Sequence, residues 1–283
     1  MEGLLFRMKI PAHLAAIAMT LWMVVGAFAA APGKDLVKAE LLADVSAIQP
    51  GQPFNIGLLL KIKPEWHVYW KNPGESGVAT ELKLKLPEGF TAGPLQFPVP
   101  RLHQDPGGIK FNGYDDEVML IQQINPPTNL KAPASVKIEG KSTWLVCAKT
   151  CIPGNADLSL ELPVAEKPAP ANAVATEQFS KWIERLPKDS GLAVKHSATG
   201  RIEVMFEQEP RDVEWFFDGG ENVSVTNIKV NTSGKTSDVQ FKIEPVGNKS
   251  PDDIEVVVGY TNADGKRVGN VFRHPIKSLG VNR

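Results

Sequence analysis

Apolar and polar residues alternate with a period of two through most of the chain, in runs too short for anything but strands. Glu81-Leu-Lys-Leu-Lys-Leu86 alternates without a break, as a strand with one wet face does. Val37 to Ser46, Phe54 to Ile62, Trp66 to Trp70, Val118 to Ile124, Ser135 to Glu139, Thr143 to Val146 and Ala156 to Leu162 read as further strands. Turns such as Gln49-Pro-Gly-Gln-Pro53 and Asn72-Pro-Gly74 cut them apart. The 24 glycines and 23 prolines are spread as punctuation and form no low-complexity tract. Many short strands at near-regular spacing predict an all-β sandwich or barrel.

Composition changes at Pro163. Residues 163–175 are rich in Pro and Ala and read as a linker. Thr176 to Leu186 is the one helical stretch, with Phe179, Trp182, Ile183 and Leu186 on one face, Thr176 at its start and Pro187 at its end. Beyond it, Arg201 to Phe206, Val213 to Phe217, Val223 to Val230, Ser237 to Ile243 and Asp253 to Tyr260 are strand-like, with turns at Asp218-Gly-Gly220, Ser233-Gly234 and Asp264-Gly265. The expected plan is a first β-sandwich over 30–165, a linker and short helix over 166–190, and a second β-sandwich over 191–283 that serves for docking or as a spacer.

Residues 1–29 have the order of a secretory signal peptide. Arg7 and Lys9 precede an apolar run from Leu14 to Val25, and Gly26-Ala-Phe-Ala29 supplies an Ala-x-Ala cleavage site. The alternative is an uncleaved anchor, for which the run is short. Cleavage would remove Arg7, Lys9 and Glu2, leaving 29 basic and 31 acidic residues and a net charge of −2. That balance excludes a nucleic-acid surface, which needs a basic excess. The expected location is periplasmic or secreted.

The two cysteines stand three residues apart in Trp144-Leu-Val-Cys147-Ala-Lys-Thr-Cys151-Ile-Pro153. An oxidising compartment lets a disulfide persist. A bridge over so small a loop constrains little of the chain. The pair therefore suits redox exchange or metal capture better than stability. A three-residue hairpin loop would set the cysteines opposite each other, at roughly the 4.5–5.5 Å of facing strand residues, within the range a disulfide tolerates. A helix would also put them on one face, but Pro153 and the β-branched or aromatic flanks oppose it. Lys149, between the sulfurs, would favour a thiolate. An inert structural bridge is the plainer reading of the same pair.

The run from Trp144 to Pro153 resembles the periplasmic N-terminal domain of DsbD-type thiol:disulfide interchange proteins, especially the ScsB-like branch. Trp66-His-Val-Tyr-Trp70-Lys-Asn-Pro-Gly74-Glu-Ser-Gly77, Pro98-Val-Pro-Arg101 and Phe111-Asn-Gly-Tyr114-Asp-Asp-Glu-Val118 resemble that family's other segments in the same order. The similarity covers about residues 36–165 and continues weakly through Trp215-Phe-Phe217. It implies an immunoglobulin-like sandwich whose Cys147 and Cys151 pass electrons to oxidised periplasmic thiol proteins of thioredoxin-like type. It implies a cap over the cysteines, with Phe111 as the cap aromatic and Tyr114 as its neighbour. The best-known members space their cysteines more widely. They also continue into a membrane conduit and a thioredoxin-like domain that this sequence lacks, so a separate membrane electron donor is expected.

The chief rival is copper handling, with Cys147, Cys151, His67 and His103 as ligands, because thiolate and imidazole suit Cu(I) or Zn. A third reading is a non-catalytic binding module with a structural disulfide. The cluster Trp66, His67, Tyr69, Trp70 reads first as strand packing with alternate faces buried, and the sharper reading makes it a wall of the thiol site. Asp105-Pro-Gly-Gly108 reads as a plain turn, and Asp115, Asp116 and Glu117 as a solvated one. If those acids lie near the cysteines they oppose Lys149. No Gly-rich phosphate loop or serine-nucleophile elbow is present, and no cofactor is expected.

Overall fold

The computed structural model describes residues 35–131, 134–167, 173–189, 192–197, 200–247 and 252–276. The expected signal segment and the middle of the Pro/Ala linker, 168–172, lie outside the described residues.

Ten strands come first: β1 (Val37–Ala43), β2 (Phe54–Ile62), β3 (His67–Gly74), β4 (Glu81–Lys85), β5 (Thr91–Gln96), β6 (Arg101–Gln104), β7 (Lys110–Asp115), β8 (Glu117–Asn125), β9 (Ala134–Cys147) and β10 (Cys151–Val164). They form two antiparallel sheets in the orders β1-β2-β8-β5 and β10-β9-β3-β7-β6, with β4 also paired to β9. The sheets enclose a core that includes Ile56, Leu58, Leu60, Val68, Trp70, Leu120, Ile138 and Val146, all fully buried. This is the immunoglobulin-like sandwich expected from the alternation.

The outer face of β2 is covered as well around Gly57 and Leu59, the apolar residue out of step with the alternation. Helix α1 (Ala173–Ile183) lays Phe179 over Gly57, where a Cβ would come within 3.0 Å of the ring and 2.6 Å of the Met119 sulfur. The helix starts three residues before the expected Thr176, so Thr176 lies within it and does not cap it. Phe179 and Trp182 are buried, but Ile183 is 43% exposed and leaves the apolar face assigned to it.

The strands of the second region are β11 (Lys188–Asp189), β12 (Ala193–Ser197), β13 (Arg201–Met205), β14 (Arg211–Asp218), β15 (Val223–Ser233), β16 (Thr236–Pro245), β17 (Asp253–Thr261) and β18 (Arg267–Pro275). Two sheets, β11-β18-β17-β14 and β12-β13-β16-β15, form the second sandwich. Its core holds Ile202, Val204, Val239, Ile254, Val256 and Val258. Period-two alternation lets one sheet serve both sandwiches. Trp215, Phe217, Val256 and Val258 face the second core, whereas Phe216 and Val257 turn the other way and join the first. Phe216 meets Trp70 with ring centroids 5.8 Å apart.

Polar groups tie the same seam. Lys71 pairs with Asp218 at 3.0 Å and with Glu255. Asn72 Nδ2 donates to the Phe217 carbonyl at 2.7 Å. Arg267 pairs with Glu214 and donates to the Pro100 carbonyl at 3.0 Å.

Two turn expectations fail for identifiable reasons. Asn72-Pro-Gly74 belongs to the end of β3. Pro73 is tolerated there because the β3–β7 register shifts between Tyr69 and Gly74, so no ladder bond needs its missing N–H. The runs 135–139 and 143–146 are one strand. Gly140 passes beneath Leu41, Leu82 and Leu84, and buried Ser142 satisfies its hydroxyl on the Glu81 carbonyl at 2.9 Å.

Candidate thiol-exchange site

Cys147 ends β9, Cys151 begins β10, and the two are direct partners in the ladder. Ala148-Lys149-Thr150 closes the hairpin, with the Ala148 N–H donating to the Thr150 carbonyl at 3.1 Å. The cysteines form a disulfide with a Cα–Cα distance of 4.1 Å. Trp144 and Val146 alternate into the main core, so Cys147 faces the opposite side of the sheet. Gly154 lies opposite Trp144, where a Cβ would sit 2.3 Å from the indole nitrogen. The two cysteines differ sharply in exposure: Cys147 is 2% exposed, whereas Cys151 is an exposed residue.

A separate small cluster covers Cys147. It consists of Tyr69, Phe111 and Cys147, with Leu145 packed against it. Adjacent strands deliver these groups. His67 on β3 is the ladder partner of both Cys147 on β9 and Asp115 on β7, and His103 on β6 is the partner of Phe111 on β7. The Phe111 ring stacks on His67 at 4.1 Å and on His103 at 5.0 Å between centroids. Tyr69 meets Phe111 edge-on at 5.6 Å and His67 at 5.3 Å, the offset geometry aromatic rings prefer.

Polar contacts run through this cluster to the exposed sulfur. The Tyr69 hydroxyl lies 3.9 Å from Cys151 Sγ and 3.3 Å from His67 Nε2. His103 Nε2 approaches Asp115 Oδ2 to 3.5 Å, without hydrogen-bond geometry. Burial, then the neighbouring His103, lowers the His67 pKa to about 4. Burial also raises the Tyr69 phenol and the Asp115 carboxyl above their ordinary values. His67 is therefore a neutral imidazole at neutral pH.

Of the residues singled out in the sequence, Cys147, Cys151, Phe111, His67 and His103 come together. Tyr114 and Trp66 do not join them. Tyr114 points to the other face of β7 into the main core, where its hydroxyl donates to the Pro98 carbonyl at 2.6 Å. Trp66 packs, half-buried, against the same main core. Lys149 is exposed at the tip of the hairpin. Asp115 and Asp116 are exposed at the turn from β7 to β8, as expected, and Asp115 also faces His67 across the ladder. Of the aromatic cluster read as either packing or a wall of the site, Tyr69 joins Phe111 and Cys147. The signal was there: in Trp66-His-Val-Tyr-Trp70, period two puts His67 and Tyr69 on one face and Val68 and Trp70 on the other. Among the described residues, no three His, Cys, Asp or Glu side chains are grouped as a metal ion would need.

The model of the N-terminal region of thiol:disulfide interchange protein DsbD matches residues 34–163. Residues 34–163 are a DsbD N-terminal-type domain. A crystal structure of the N-terminal periplasmic domain of ScsB from Proteus mirabilis aligns with 86% of this chain and 95% of its own, at 22% identity and a TM-score of 0.60. The alignment extends the shared fold well beyond the DsbD-type domain into the second sandwich. The major pilin subunit BcpA of Bacillus cereus aligns over 85% of this chain and 66% of its own, with 12% identity and a TM-score of 0.28. No curated protein matches the chain in sequence. No helix among the described residues is long and apolar enough to cross a membrane.

Proposed function

We propose that this chain is a periplasmic or secreted thiol:disulfide interchange protein in which Cys147 and Cys151 exchange with disulfides of thioredoxin-like partner proteins. The supporting observation is the asymmetry of the pair. The cysteines are ladder partners, yet Cys151 is an exposed residue and Cys147 is buried with Tyr69 and Phe111.

In the reducing direction the Cys151 thiolate attacks one sulfur of a partner disulfide. The partner S–S bond breaks, one partner sulfur leaves as a thiolate, and a mixed disulfide forms at Cys151. The Cys147 thiolate then attacks Cys151 Sγ and releases the second partner sulfur. Two electrons have passed to the partner, and Cys147–Cys151 is oxidised. A membrane electron donor would restore the dithiol. Phe111, with His67 and His103 stacked on it, acts as the cover that excludes unselected thiols from Cys147.

Single-cysteine variants test this in the native envelope. Cys147→Ala should accumulate partner adducts that reductant removes, because the mixed disulfide at Cys151 cannot be resolved. Cys151→Ala should not. Adducts from neither variant, with stoichiometric Cu(I) held by the reduced wild type, would replace exchange by copper handling.

A further inference from the structure

We propose that the Tyr69 hydroxyl, held in place by His67, donates a hydrogen bond to the Cys151 sulfur and so sets how readily that sulfur attacks a partner disulfide. The inference rests on the exchange reading and gives it a further catalytic residue.

Geometry carries the proposal. The Tyr69 oxygen is within sulfur hydrogen-bonding reach of Cys151 and faces His67 Nε2. The phenol has little freedom to turn away. It is 2% exposed, wedged edge-on against Phe111, and covered by Gly77. A bridge between Tyr69 and Ala79 ties that covering segment to β3. The charged and titratable groups facing the phenol are His67, which also feels His103, and Asp105. As a neutral ring His67 carries one N–H. With that proton on Nε2, the imidazole donates to the phenol oxygen. The phenol proton is then directed to sulfur.

The contact changes character with redox state. A disulfide sulfur is a weak acceptor. Reduction turns Cys151 into a thiol in equilibrium with a thiolate, and a hydrogen bond to the charged form favours that form. Tyr69 thereby increases the attacking species without adding a charge to the buried cluster. In the attack the Cys151 electron pair forms the new S–S bond, the partner S–S bond breaks, and the departing partner thiolate takes its proton from water. Tyr69 keeps its own proton throughout.

The test is Tyr69→Phe in the full chain, in a Cys147→Ala background so that only Cys151 reacts. The pH dependence of iodoacetamide alkylation reports the Cys151 thiol pKa without any partner. Loss of the hydrogen bond should raise that pKa by about one unit, a roughly tenfold loss of thiolate below it. Reaction with oxidised glutathione at pH 7 should slow only about threefold, because nucleophilicity rises with thiol pKa. The deficit should vanish above the variant's pKa. His67→Leu should reproduce part of the shift, and His67→Gln, which keeps a donor, should restore it. An unchanged or lowered thiol pKa in Tyr69→Phe overturns the proposal, even if the variant melts earlier. A raised pKa in a protein that exchanges with no disulfide would sink the exchange reading and leave the hydrogen bond standing.

Discussion

Replacing Gly77 with alanine probes how firmly the covering segment holds Tyr69 over the sulfurs. A Cβ built at Gly77 would lie 2.3, 2.4 and 2.6 Å from Cε1, Cδ1 and Cζ of the Tyr69 ring. Ordinary contact needs about 3.5–4.0 Å, so ring or loop must move by more than an ångström. The ring has no easy retreat, since Phe111 and His67 pack against it. Gly77 also has φ +111°, outside the conformations open to alanine. Strained backbone costs about 1–3 kcal/mol and overpacking a similar amount, so Gly77→Ala should destabilise by about 2–6 kcal/mol. Gly220→Ala is the control, because Gly220 has φ +67° and nothing within 4 Å of its Cβ position. It should cost only the backbone share, about 1 kcal/mol. Urea unfolding gives both values, and alkylation of reduced Cys151 reports whether the displaced phenol still reaches the sulfur. A Gly77→Ala protein no less stable than Gly220→Ala, with unaltered Cys151 reactivity, would refute the packing argument and weaken the role given to Tyr69.

Two further outcomes follow from charges. His67 and His274 are both lowered to about 4, each by burial first and then by a neighbouring imidazole, His103 and His196 respectively. The unfolded chain takes up these protons near pH 6.5 and the folded chain only near 4, so stability should be full above about pH 6.5 and fall as pH drops toward 4. Allowing for solvent screening, each ring should contribute about 1–2 kcal/mol to that fall. Urea midpoints at pH 7, 5.5 and 4 measure it, and a slope unchanged in the His67→Gln, His274→Gln double variant would contradict the assignment. At the seam between the sandwiches, Lys71→Met strands the partly buried Asp218 and leaves Glu255 only the exposed Arg273 as a partner. It should cost about 1–3 kcal/mol, most of it recovered by adding Asp218→Asn. A double-mutant cycle with no coupling would count against the clamp.

The period-two pattern was enough to name the fold class, because alternation reflects which face of a strand meets water and needs no knowledge of its neighbours. It placed 54–62 as a strand, with the same ends as β2. The hairpin at the cysteines was equally legible, since a three-residue loop fixes which residues face each other. Short or weakly patterned strands such as β5, β6, β7 and β12 were missed, because their stability comes from partners distant in sequence. Ser135–Glu139 and Thr143–Val146 looked like two strands because Gly140 and Ser142 weaken the local pattern, whereas β4 and its leucines pair across the join.

By itself the sequence determined a β-rich chain, the location of its redox-capable pair, and a DsbD-like order of motifs over the first region. Tertiary structure alone decided which cysteine is buried, because Tyr69 and Phe111 arrive from β3 and β7 to pack against Cys147. It also separated Phe111 from Tyr114, three residues away in one strand, sending one ring to the disulfide and the other to the main core. Local alternation can say that two side chains point to opposite faces. Only the packed sheets decide which face holds the chemistry.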